Sequence, residues 1–435
     1  MSAPDNMLAD DFSTAPLWWH DIGKSAVANA DPPRSVDVAI VGSGVTGLSA
    51  AITLASKGAS VVVYEADHIG FGGSTRSAGV IGRSLKKGFS RVIAEDGLQR
   101  ACVVYGEARA AFDFILDFIE TNKIDCGLRP SGRFIAANTP QHYEAIARDL
   151  ENKKRHLGDD FEMIPQARQH QEIGTDSYFG GAVVPDHKTL DPFLLHQGLI
   201  TLAERAGVVI LPQTRVVRMR RQEDGYKVTT ATGEGSARNV IIATNGYTGP
   251  EFMWFRRRLI PLNAYMIATQ ELAANVMREV LPTLRTFNDY RIDTEYARPC
   301  PDGKRLIFGG LTGRNYADGR TIAGRLREKM VRLFPQLSET PISRAWTGRC
   351  AATFDLYPHV GQHEGLYYAM GYSFGSGLPL GLLFGHKIAL RILGLEGGET
   401  AFDDEAFETR AFYRGNAWFM PLLMEYYRWR EQAGF

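Results

Sequence analysis

Apolar residues along this chain fall into short β-branched runs that stop at glycine, alternating with longer stretches whose apolar positions recur at helical spacing. The run SVDVAIVG (35–42) reads as a buried strand. After the turn 42–47, LSAAITLASKG (48–58) reads as a small-residue helix with an apolar face, stopped by Gly58. ASVVVYE (59–65) reads as a second buried strand ending on Glu65, which completes a βαβ unit. Residues 98–123, 141–156 and 188–207 carry helical patterns, the last with a glycine stop. VVILPQTRVVRMRR and, after a turn at Asp224 and Gly225, YKVTTATG read as strands, as do 238–249, 260–270 and 305–310. Residues 365–393 predict a strand, a glycine-rich turn and a helix. The first 34 residues read as an irregular arm whose aromatic knot, Leu17 to His20, packs onto the body, and 396–435 as a polar, aromatic segment helical near its end.

The residues of the first turn suit one chemistry. Gly42 permits the tight strand-to-helix turn, Gly44 leaves the backbone open to a pyrophosphate, and Gly47 lets helix and strand pack closely. The helix then presents free N–H groups and its positive dipole end to phosphates. Glu65, at the end of the second strand, is placed to accept from both ribose hydroxyls and disfavours a 2′-phosphate. A GxGxxG alone is weak; strand, turn, helix, strand and acid in that order indicate a dinucleotide site. They do not separate FAD from NAD.

Composition narrows the partners. Lysine plus arginine equals aspartate plus glutamate at 49 each, so no net charge favours nucleic acid or an anionic membrane. No apolar run is long enough to span a bilayer, and MSAPDNMLADDF lacks the apolar region of a secretory signal. The four cysteines form no disulfide framework or finger, so the expected location is cytoplasmic. Ten histidines without an HExxH pattern give no metal site.

Beyond the first motif the chain resembles the D-amino-acid oxidase superfamily of FAD-dependent oxidoreductases, especially its glycine oxidase, sarcosine oxidase and γ-glutamylputrescine oxidoreductase branch. The resemblance runs from about 35 to 395. Its ordered motifs are GSGVTGLSAAITLASKGASVVVYEA (42–66), GFGGSTRSAG (70–79), IDCGLRPSGRFIAA (124–137), VIIATNGYTG (240–249), RLIFGG (305–310) and GYSFGSGLPLG (371–381). It implies an α/β plus α+β fold, in which a Rossmann-type FAD-binding domain (35–95, 180–250, 345–395) interleaves with a substrate domain built on an antiparallel sheet (96–179, 251–344). The arm 1–34 and a C-terminal helical segment 396–435 flank them.

The same resemblance implies the cofactor roles. Gly42, Gly44, Val45, Thr46 and Gly47 would hold the FAD pyrophosphate and Glu65 the ribose. Ser74, Arg76 and Ser77 would run beside the flavin, Val216 would flank the adenine, and Ala243, Thr244, Asn245 and Gly246 would close the pocket. Gly375, Ser376, Gly377 and Leu378 would offer N–H groups to the pyrimidine edge. Cys350 falls where sarcosine oxidase-like enzymes bond the flavin covalently and glycine oxidase-like members carry a substrate-binding arginine; a small inert cysteine is the preferred reading. On the reacting side Arg298 would grip a substrate carboxylate bidentately, with Tyr265, Tyr296 and Arg349 as further candidates and His359 as a structural histidine. Pro379 and Ile307 or a neighbour stand where sarcosine oxidases place lysines, which leaves oxygen, a quinone or another protein as acceptor. The expected reaction is FAD-dependent oxidation of an amine or amino acid at its C–N bond, with imine hydrolysis. C–O oxidation and a non-catalytic flavin-holding subunit are the alternatives.

Overall fold

The computed structural model describes residues 7–19, 31–372, 376–403 and 406–432. Strand Ser35–Val41 is buried on both faces, as its apolar run requires, and lies at the middle of a parallel set. The spatial order is Val209–Leu211, Val61–Tyr64, Ser35–Val41, Glu234–Ile242, Leu366–Met370, all parallel. Glu234–Ile242 is long enough to serve two partners on the edge away from Ser35–Val41. Its first half pairs antiparallel with Gly225–Thr230 and its second half parallel with Leu366–Met370. Helices Val45–Ala55, Leu98–Thr121, Pro192–Arg205 and Gly377–Ile392 cover one face, burying Leu48, Ala101, Leu199 and Phe384 in a common core. The first and last of these cross closely because glycine permits it: a Cβ on Gly385 would stand 2.2 Å from the Thr46 carbonyl.

The chain leaves this unit twice to build a nine-stranded mixed sheet. Its order is Leu8–Ser13, Ile342–Ala352, Ile260–Thr269, Leu306–Gly310, Tyr296–Pro299, Thr286–Asp289, Arg133–Ala136, Gly181–Val184, Glu162–Ile164. Helix Gly319–Leu333 packs on one face through Ile322, Leu326 and Met330. The other face meets the nucleotide unit, where Trp346, Met266 and Ile307 enclose Trp18 and Phe193. The two indoles donate to the Thr75 and Arg76 carbonyls, so the sheet is bonded to the loop after the second Rossmann strand.

Several expectations change. Within the arm read as irregular, Leu8–Ser13 is an edge strand parallel to Ile342–Ala352, with Asp11 held by Arg344 at 3.2 Å; its partner lies more than 300 residues away, beyond any local signal. Helix 188–207 begins only at Pro192, because Asp191 accepts from Phe193 and Leu194 as N-cap and proline suits the first turn. Residues 181–184 and 342–352, allotted at least in part to the nucleotide domain, belong to the large sheet, and helix Leu98–Thr121, allotted to the substrate domain, packs in the nucleotide core. Of 396–435, Met420–Gln432 is helical. No described helix is long and apolar enough to cross a membrane.

Candidate cofactor and substrate site

Parallel strands put all their carboxyl ends on one edge, and the site lies there. Gly42 follows the first strand at φ +106°, a conformation natural to glycine. Gly47 is squeezed: an added Cβ would sit 2.0 Å from the Gly42 carbonyl and 3.1 Å from Ile40. Gly44 is different. As the N-cap of Val45–Ala55 it has φ −72°, and a Cβ there would touch only Ser74 Oγ at 3.1 Å. Gly44 has no side chain to cap this helix, and Val45 N–H donates instead to Ser74 Oγ at 3.0 Å. Thr46 bonds the Tyr372 hydroxyl.

Glu65 is oriented before any ligand arrives. Its Oε2 accepts from Ser43 N–H (3.1 Å) and Ser43 Oγ (2.7 Å), and Oε1 from Asp67 N–H (3.1 Å). The carboxylate therefore faces the turn, with acceptor capacity left for a hydroxyl. A helix N-terminus that starts at a glycine, open space beyond Gly377 and a fixed carboxylate form a cradle that fits the pyrophosphate and ribose of FAD.

Behind the turn, His196 Nε2 bonds the Ser43 carbonyl at 2.8 Å and the ring is fully buried. Burial drives its pKa down to about 4, against the smaller opposing pull of the Ser43 carbonyl. The neutral form is the native one, so its contribution is complete above the unfolded value near 6.5 and is lost as pH falls towards 4. Denaturant titrations should show up to about 3 kcal/mol of stability disappearing across that window, and His196→Gln should flatten the slope. An unchanged slope in the variant would contradict this assignment.

The remaining cofactor candidates have these positions. Ala243 N–H donates to Val41, and Gly42 packs against the Ala243 carbonyl. Thr244 and Thr248 hydroxyls meet at 2.7 Å. Asn245 accepts from Gly371 N–H at 3.0 Å, tying the strand end to the glycine-rich turn. Gly246 lies against the Cys350 backbone, its Cβ position 3.0 Å from Cys350 Cα. Val216 is buried at the start of its strand. Ser77 Oγ accepts from Gly79 N–H. Gly375 lies outside the described residues. Ser376 is the N-cap of Gly377–Ile392 and donates to the Ser84 carbonyl, while Leu378 is buried.

The arginines change most. Arg76 Nε donates to Phe71 O and Nη1 to Thr347 O, with the guanidinium 4.3 Å from the Trp19 ring centre and 4.7 Å from that of Phe71. Arg298 is 2% exposed, not on a surface hairpin. Its Nε donates to Pro299 O, and its Nη1 to the carbonyls of Ala78, Gly79 and Leu190. Both bidentate faces of a guanidinium need one of these nitrogens, so the expected carboxylate grip gives way to a staple between sheet and flavin-side loop. Tyr265 is also committed: its hydroxyl donates to Arg314 O at 2.9 Å and accepts from Tyr316 N–H at 2.8 Å. Arg349 is exposed beside Tyr247. His359 bonds Asp355 at 3.0 Å and stacks on Phe407.

Tyr296 packs against the cluster of Trp18, Trp346 and Ile307, and the Cys350 thiol lies 3.6 Å from the Leu262 carbonyl. Gly309 leaves room for the Tyr296 ring, and burial followed by the nearby Cys350 thiol holds that phenol well above its usual range. The same thiol faces a residue the sequence reading passed over, Lys86. Burial pulls the Lys86 ammonium below the ordinary lysine value, opposed by Cys350, although the side chain is reachable by solvent. Its loop is pinned on both sides, by Ser376 on the Ser84 carbonyl and by Tyr105 on the Lys87 carbonyl at 2.7 Å.

The family model described as FAD dependent oxidoreductase (DAO) matches residues 37–391. A probable oxidoreductase, OrdL, from Haemophilus influenzae is 30% identical over 82% of this chain and 83% of its own length. The γ-glutamylputrescine oxidoreductase of Escherichia coli is 29% identical over 82% and 84%. Among solved structures, glycine oxidase from Geobacillus kaustophilus superposes with a TM-score of 0.70 at 23% identity, covering 87% of this chain and 99% of that one.

Proposed function

The chain belongs to the DAO family of FAD-dependent oxidoreductases, and from that premise we propose that it oxidises the C–N bond of an amine that also carries an acid group. The relatives point to nitrogen: a γ-glutamylputrescine oxidoreductase and glycine oxidases are among them. The observation that supports the acid group is a cation beside Cys350: Arg76 and Arg298 give donors to carbonyls, while the Cys350 thiol acts electrostatically on both Lys86 and Tyr296.

Bound FAD supplies the two-electron acceptor. The chain supplies the rest. The turn at Gly44 and the carboxylate of Glu65 hold the dinucleotide, and Asn245 and Ser376 brace the segments around the glycine-rich turn. Lys86 pairs with the substrate's acid group and, by like-charge repulsion, disfavours the protonated amine. The substrate gives up its C–H hydrogen together with two electrons and its N–H hydrogen as a proton. The resulting imine adds water and splits into carbonyl compound and amine.

Because the neutral amine reacts, the rate of anaerobic flavin reduction should rise with pH and level off once the bound amine is deprotonated. A rate that is flat from neutral to alkaline pH would count against C–N oxidation.

A further inference from the structure

A chamber lies between the large sheet and the loop that carries Arg83 and Ser84. It encloses about 30 Å³, above the minimum of roughly 10–15 Å³ that one water-sized species needs. Its cations are Arg83, Arg133 and Lys153 and its carboxylates Asp159, Asp160 and Asp186, with Ser84 and His187 between them. His187 is 5% exposed, and neither of its ring nitrogens has a hydrogen-bond partner; Nε of Arg133 is equally buried and unpartnered. The ring is fitted there deliberately by the chain: a Cβ on Gly82 would stand 2.3 Å from His187 Nε2.

We propose that this chamber binds one small monovalent anion, of the size of chloride or formate. The charges around it support that choice over water alone. Arg83 pairs with Asp159 and Asp186, and Lys153 with Asp149 at 2.9 Å. Asp160 is exposed to solvent. Among the described residues no carboxylate lies within ion-pair distance of Arg133, whose Nη2 donates to Ser84 Oγ at 3.3 Å. A water would satisfy hydrogen bonds and leave the guanidinium uncompensated, whereas an anion answers both demands. His187 is suited to donate to it. Burial and the neighbouring Arg133, Lys153 and Arg83 keep the ring neutral, which leaves one N–H to give.

The anion would also act at a distance. Arg133 holds the side chain of Ser84, and the Ser84 carbonyl holds Ser376 at the head of Gly377–Ile392. A filled chamber therefore braces the loop that closes on the glycine-rich turn.

The test uses the flavin-loaded protein at constant ionic strength. Exchanging gluconate for chloride should raise the melting temperature saturably, by about 3 °C, and formate should act alike while sulfate, too large and doubly charged, should not. Arg133→Gln and His187→Phe should each remove the chloride response. A wild-type response that follows ionic strength regardless of anion, or a chloride response that survives both substitutions, would overturn the proposal. Should neither variant fold, a crystal of the wild-type protein grown in bromide decides: an anomalous peak between Arg133 and His187 supports the site, and its absence overturns it.

Discussion

Gly44→Val should weaken FAD binding on the order of 1,000-fold, about 4 kcal/mol, while the cofactor-free protein melts within a few degrees of the parent. The two effects separate because of where Gly44 sits. Its φ of −72° is open to any residue, and its Cβ would meet only a serine hydroxyl at 3.1 Å. The fold therefore tolerates the side chain once the Ser74 hydroxyl shifts by a few tenths of an ångström. The pyrophosphate does not, since it must approach this backbone to reach the N–H groups at the start of Val45–Ala55. Gly47→Ala is the contrast. Its Cβ would collide with the Gly42 carbonyl at 2.0 Å, so that variant should lose stability with or without FAD. Equilibrium flavin titration beside thermal melts of the apoprotein checks both. Gly44→Val protein that binds FAD normally would remove the turn from the cofactor site.

Lys86→Met should raise the dissociation constant of an acid-bearing amine about 100-fold, roughly 2.7 kcal/mol, with kcat at saturation changed far less. An analogue of the same amine without its acid group should bind the variant as well as or better than the parent, because the repelling ammonium is gone. Lys87→Met is the matched control. Lys87 pairs with Glu95 at 2.9 Å and lies over the Tyr357 ring, so it should affect stability and not substrate choice. Anaerobic stopped-flow reduction with both amines, followed by reoxidation in air, separates the possibilities. Equal losses for both amines, or a loss confined to reoxidation, would show that Lys86 does not read the acid group.

Adjacent lysines with opposite fates show why the site was only partly legible in the sequence. The dinucleotide turn is a local object: strand, glycines, helix and Glu65 lie within 31 residues, and their spacing encodes their geometry. Lys86 and Lys87 look alike as a charged pair before a helix. What separates them is tertiary, namely Ser376 from a segment 292 residues later and Tyr105 from a neighbouring helix. Arg298 fails for the same reason. The family resemblance picks it out, but the carbonyls it meets, at Ala78, Gly79 and Leu190, belong to distant segments. Tyr265 lies in a strand that sequence places well, yet its hydroxyl is consumed by the loop at 314–316. Ser43 and His196, which orient the turn and its acid, carry no motif of their own. Ser43 could have been found as the variable residue between two required glycines, its amide already aimed at Glu65.

The central claim is that FAD on this turn takes electrons from a C–N bond. Anaerobic titration of the purified holoprotein against a panel of amines, amino acids and the matching hydroxy compounds tests it most directly. The account predicts that the visible flavin band bleaches with at least one acid-bearing amine and not with its hydroxy counterpart. Bleaching by hydroxy compounds alone, or by no amine across the panel, would contradict it.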